Sequence, residues 1–210
     1  MKDGRRFGGP TKPHVPPQGP AGTINLTDPD SRNLKGFRGY VRGYNAQAVV
    51  TEQQIVIAAE VNSDSPDFGH LEPMVRTAQA ELAKAGVTEQ LDIALADSGY
   101  WHQEQMDHLA AGGIQLLIPP DAAKRHGTRP GWDGGRYSWM RHVLATDLGN
   151  RLYRRRSPMI EFVFAQIKSN RKIDRFQRRG RSAVRSEWRL TAATHNLLKL
   201  HKHPIATATP

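Results

Sequence analysis

The chain has 210 residues, 38% of them hydrophobic, and a formal net charge of +10, so it holds enough apolar material for one main core and is short for two independent domains. The absence of cysteine excludes a disulfide framework, thiolate metal sites and a cysteine nucleophile, and fits a reducing compartment. No apolar run approaches the roughly 18 residues of a membrane span, and no apolar core follows the basic residues at the N-terminus, so a soluble, cytoplasmic protein with no membrane partner is expected.

Residues 1–22 include "GGPTKPHVPPQGPAG". This Pro- and Gly-rich stretch cannot bury enough surface to fold alone, and it predicts a flexible linker, with room for a segment ahead of it. The main domain is expected over 23–201, with a disordered tail over 202–210. "TINLT" (23–27) reads as a short strand ending at Asp28, where "DPD" breaks regular structure. "YVRGYNAQAVV" (40–50) and "IVIAAEV" (55–61), separated by "TEQQ", predict an antiparallel hairpin. Leu71, Met74, Val75, Ala78 and Leu82 recur at helical spacing and predict an amphipathic helix over about 70–85. A buried strand at 91–96, a short helix at 102–112 with Met106 and Leu109 inward, and a strand at 114–119 then form a parallel unit with a right-handed crossover. "DGGRYSW" (133–139) lacks the setting of a phosphate loop and reads as a turn.

The later chain is helical and basic. "SPMIEFVFAQIK" (157–168) predicts a helix capped by Ser157, with Pro158 at its first position. Met159, Ile160, Val163 and Ile167 form its inward stripe. A long helix carries Val184, Trp188, Ala192, His195 and Leu198 on one stripe, which makes His195 a packed or capping residue rather than a ligand. Residues 1–120 hold 10 Lys/Arg against 14 Asp/Glu, whereas residues 121–210 hold 20 against 6. The excess is densest between Arg151 and Leu190, with aromatic residues interleaved, a pattern that favours a polyanionic partner through counterion release.

Three acids stand out. Asp97, in "ADSGYW", lies at the carboxyl end of a buried strand, where open α/β sheets bind ligands. Asp28 ends the first strand in the same way and is preferred to Asp30, which Pro29 carries into the turn. If the two strands are parallel neighbours, the two carboxylates share a sheet edge and a divalent cation would relieve their repulsion. Glu161 lies among apolar residues, where an unpaired carboxylate is costly. Asp64 and Asp67 read as loop and cap residues, and Tyr100 and Trp101 as packing rings.

"NLTDPDSR", "GYVRGYNAQAVV", "AAEV" with "HLEPM", "ADSGYW", "YRRRSPMIEFVFAQIK" and "EWRLTAATHNLLKLH", in that order across most of residues 24–201, resemble the ribonuclease H-like catalytic domain of DDE transposases. More narrowly, they are similar to insertion-sequence transposases with a Tyr-Arg-Glu-Lys signature. The resemblance implies an α/β fold, with a ribonuclease H-like mixed sheet of about five strands, flanking helices and a helical C-terminal part. It implies metal-dependent DNA cleavage and strand transfer at the ends of an insertion sequence. Asp28, Asp97 and Glu161 would bind two Mg²⁺, for which Mn²⁺ can substitute. Tyr153, Arg154, Arg156, Lys168, Arg171, Lys172 and Arg175 would contact DNA. The partners implied are terminal inverted repeats, target DNA and further copies of the chain, in a nucleoid-associated cytoplasmic setting. Arg156 and Glu161 are separated by four residues where the signature is often written with three. The alternative is a truncated or degenerate remnant acting only as a basic nucleic-acid-binding module, since the helical DNA-binding domain that usually precedes such a core is not among these residues.

Overall fold

Strand pairing begins with a hairpin that periodicity did not reveal. The computed structural model describes residues 25–36, 39–64, 66–121 and 134–202; the expected linker over 1–22 and the residues after 202 lie outside them. β1 (Arg32–Gly36) pairs antiparallel with β2 (Gly39–Gly43), Lys35 facing Tyr40 and Leu34 facing Val41. The single strand expected over 40–50 is therefore divided, its first part pairing backward and its second, β3 (Asn45–Val50), pairing antiparallel with β4 (Val56–Asn62) as anticipated. The strand expected over 23–27 is absent at residues 25–27. There the Asn25 side chain accepts the backbone N–H of Thr27 at 3.1 Å, a local bond that competes with extended pairing, and Leu26 is 93% exposed. Residues 23 and 24 lie outside the described residues.

The next segment follows its periodicity closely. α1 (Leu71–Lys84) buries Leu71, Met74, Val75 and Ala78. β5 (Ile93–Leu95) leads through a short 3₁₀ turn (Ser98–Tyr100) into α2 (Gln103–Ala111), with His102 at its N-cap and Met106 and Leu109 buried, and β6 (Gln115–Leu117) pairs parallel to β5. The described strands thus form three two-stranded sheets.

α3 (Gly135–Ala145) begins inside the stretch read as a turn. Tertiary packing decides this: the Tyr137 ring stacks on Trp101 with centroids 4.8 Å apart, and Met140 is buried beneath. α4 (Asp147–Arg154) passes almost directly into α5 (Arg156–Ala165), because Arg155 keeps helical angles. Ser157 is consequently interior to α5 and is not its cap. A π turn (Gln166–Asn170) follows, and then α6 (Arg181–Lys202).

One core cluster gathers Leu71, Val75, Trp101, Met106, Ile118 and Met140 under α1 and α3. Another gathers Val61, Val163, Ile167, Val184 and Trp188 where α5 and α6 meet the β3–β4 hairpin. Full burial of each such aliphatic side chain contributes about 1.5–3 kcal/mol. Polar clips fix α6 to the sheet: Asn196 both accepts from and donates to the backbone of Val56 at 2.8 Å, and Trp188 Nε1 donates to the Gln47 carbonyl at 2.8 Å. His195 is packed as expected, its Nε2 3.0 Å from the Gln54 carbonyl oxygen. Leu198, expected on the same stripe, is instead 42% exposed. Among the described residues no helix is long and apolar enough to cross a membrane.

Candidate active site

Asp97 leaves β5 in an extended conformation and caps the 3₁₀ turn, its Oδ1 accepting the Gly99 N–H at 2.8 Å. The absence of a side chain at Gly99 matters, since a Cβ there would stand 3.0 Å from Asp97 Oδ1 and 3.4 Å from Asp67 Oδ2. Two carboxylates therefore converge on one point. Burial pushes the Tyr100 hydroxyl's pKa well above its ordinary value, and the fields of Asp67 and Asp97 push it further, so Tyr100 stays a neutral donor beside two anions.

Asp67, read from the sequence as a loop or cap residue, is the second carboxylate beside Gly99. Its Oδ1 accepts from Asn45 Nδ2 at 2.7 Å and from Gln47 Nε2 at 3.0 Å, two residues that the strand period of two places on one face of β3. Its carbonyl also accepts the His70 N–H at the start of α1. The available signal was that alternation: polar Asn45 and Gln47 interleaved with Ala46 and Ala48 in β3, with Gln47 buried.

Glu161 is presented by α5. Arg156 Nη2 donates to its Oε1 at 3.5 Å, and the Arg156 guanidinium lies 5.9 Å from the centroid of the Tyr153 ring. Five positions on a helix turn through about 140° beyond one full revolution, which explains a long, glancing contact where a four-position spacing would align the pair. The Tyr153 hydroxyl is pushed up by burial; Arg156 counters this, and the charge of Asp97 adds to it. Asp97 thus bears on Tyr153 through its charge, while Glu161 is tied to the same ring only by way of Arg156.

Asp28 sits elsewhere. It is buried, and its Oδ1 accepts the Tyr44 hydroxyl at 2.6 Å and the Gly180 N–H at 3.3 Å, while Asp30 Oδ2 accepts the Arg181 N–H at 3.0 Å. The turn docks both carboxylates on the N-terminus of α6, where the helix dipole favours negative charge. Asp28 follows no strand among the described residues, so the shared sheet edge expected for it and Asp97 is not formed. Among the described residues no three Asp, Glu or His side chains come close enough to hold one ion. As arranged, Asp28, Asp97 and Glu161 do not fit a common metal.

The expected DNA-contacting residues divide. Arg154, Lys168, Lys172 and Arg175 are exposed, with the Lys168 ammonium 5.2 Å from the Phe164 ring centroid. Tyr153 and Arg156 are partly buried in the group described above. Arg171 is turned into the fold, where its guanidinium donates to the Thr191 carbonyl at 3.2 Å and to Thr194 Oγ1 at 2.7 Å.

Residues 123–201 match the model of a family described as the transposase DDE domain. That segment carries Tyr153, Arg156, Glu161 and Lys168. No curated protein and no solved structure matches the chain.

Proposed function

We propose that this chain, whose residues 123–201 match the transposase DDE domain family, is an insertion-sequence DDE transposase that cleaves DNA phosphodiester bonds and transfers strands at the ends of an insertion sequence. The observation that carries this reading is the family match over residues 123–201, a segment in which Arg156 stands between the Tyr153 ring and Glu161. In this reading, cationic Arg156 meets a scissile phosphate, and Asp97 and Glu161 are the acids at which the attacking water or 3′-hydroxyl is handled. Arg154, Lys168, Lys172 and Arg175 continue the cationic surface and hold the flanking backbone, while Arg171 supports it from within. Asp28, held by Tyr44 and Gly180, is assigned a structural role and no part in the reaction. The antiparallel β3–β4 pair followed by the parallel β5–β6 pair supports a ribonuclease H-like arrangement. Double-stranded DNA ends and target DNA are the proposed substrates, bound by associated copies of the chain.

A second reading, a basic nucleic-acid-binding module without catalysis, is favoured by one observation: the three acids do not share a cradle. Nicking of supercoiled plasmid separates the two. With Mg²⁺ or Mn²⁺ supplied, the nuclease reading expects nicking that Asp97→Asn and Glu161→Gln abolish while duplex binding persists. Equal nicking by the variants and the parent removes the acids from the reaction. Binding without nicking under every condition selects the module.

A further inference from the structure

The β1–β2 hairpin takes no part in the site and pairs with no other strand among the described residues. An isolated two-stranded hairpin is marginal in water, so its base has to be secured. Here Ser31, just before β1, donates its N–H and its hydroxyl to the Asp28 carbonyl. Tyr44, just after β2, donates to the Asp28 carboxylate. Both ends of the hairpin are thus tied to the same buried aspartate.

Cross-strand partners in an antiparallel pair point to one face. Asn33 faces Arg42, and Lys35 faces Tyr40, so these four side chains share a face, and all four are exposed, Tyr40 by 75%. The segment 32–43 contains four Lys/Arg and no acid, although residues 1–120 as a whole hold 10 basic against 14 acidic residues. Residues 44–120, by contrast, hold two Lys/Arg against 11 Asp/Glu, so the positive sign of the hairpin does not continue into the segment that follows it.

We propose that this hairpin is a second DNA-contacting element, a two-stranded ribbon whose Asn33, Lys35, Tyr40 and Arg42 face lies against duplex DNA. A two-stranded ribbon has the width that the major groove admits. Two cations with an amide and a phenol supply phosphate charge neutralisation together with neutral donors to the backbone. The proposal rests on the reading that the protein acts on DNA, and the contact surface it adds lies on residues outside the matched segment 123–201.

The test compares Lys35→Ala with Arg42→Ala as a double variant against Arg154→Ala, by duplex affinity over a range of salt. The slope of log K against log salt falls by about 0.9 for each phosphate that is no longer neutralised, so the hairpin variant is expected to lower it by nearly two such steps. Protection of Lys35 from acetylation by bound duplex, read by mass spectrometry on the unaltered chain, is expected alongside and does not depend on how the variant folds. Binding that Arg154→Ala weakens, with an unchanged hairpin variant and an unprotected Lys35, overturns the ribbon alone. A parent chain that binds no duplex overturns the DNA reading and the ribbon with it. Protection by polyglutamate equal to that by DNA assigns the face to an acidic protein surface and overturns the proposal.

Discussion

The Tyr44 hydroxyl donates to Asp28 Oδ1 at 2.6 Å across sixteen residues, closing the base of the β1–β2 hairpin. Burial and this bond push the Tyr44 pKa well above the ordinary tyrosine value. The folded state therefore keeps a proton that the unfolded chain releases above about pH 10. Stability from this group is fully present below that pH and declines as pH rises through it. Tyr44→Phe is expected to lower stability at neutral pH by about 1–2 kcal/mol, since Asp28 loses a donor, and to flatten the alkaline limb of the melting profile. An unaltered limb would mean that the bond contributes nothing to folding.

Glu60 joins β4 to α6. Its carboxylate pairs with Arg185 at 2.6 Å and with Arg189 at 2.5 Å. Burial alone would push its pKa up, but the hydrogen bonds and charges of the two arginines outweigh this and hold it below the usual carboxylate range. The stabilisation is present above the unfolded-state value of about 4.3 and is lost as pH falls through the lower folded-state value. Both arginines are about half exposed, so Glu60→Gln is expected to cost only about 1 kcal/mol at neutral pH. Chemical denaturation at a series of acid pH values should show the difference from the parent shrinking toward zero.

Gly149 lies inside α4, where a Cβ would overlap the Val143 carbonyl at the end of α3 and crowd Thr146 Oγ1. Those obstacles are mostly backbone, and Thr146 is the α4 N-cap, accepting the Gly149 N–H. Gly149→Ala therefore gains nothing from better helix propensity and is expected to destabilise by about 1–3 kcal/mol through overpacking. Differential scanning calorimetry would read this as a lower Tm; a raised Tm would refute the close packing of α3 on α4.

Local periodicity was legible where one face is buried along a whole element. α1 starts and stops within a residue of the span of about 70–85 expected for it, and α2 sits between His102 and Gly112 as its pattern implied. Asp97 and Glu161 stand out in the sequence as candidates because each is an acid next to apolar residues along the chain. The misses share a cause, since contacts distant in sequence override the local signal. β1 was hidden in a glycine-rich basic segment with no apolar alternation, and α3 forms despite Gly134 and Gly135 because Tyr137 finds Trp101. Asp28 read as a strand-end acid, but its nearest determinants are Tyr44 and Gly180, the latter 152 positions away. Asp67 looked like an ordinary loop acid because Asn45 and Gln47, which orient it, lie about twenty positions earlier.

Arg156 separates what the fold needs from what the chemistry needs. Its partner Glu161 has a side chain 62% exposed, and such pairs are worth about 0–1 kcal/mol, while the Arg156 side chain itself is 24% exposed beside Tyr153, so Arg156→Ala should lower the melting temperature only modestly, through lost packing. In the proposed reaction the same cation neutralises charge on the scissile phosphate. Removing one preorganised donor to such charge typically costs about a hundredfold or more in rate. Single-turnover cleavage of a labelled duplex should therefore fall by about that factor with folding intact. Arg156→Lys should recover only part of it, because an ammonium cannot reproduce the planar fork of a guanidinium. A loss of rate matched by an equal loss of stability would make Arg156 a packing residue and not a phosphate contact.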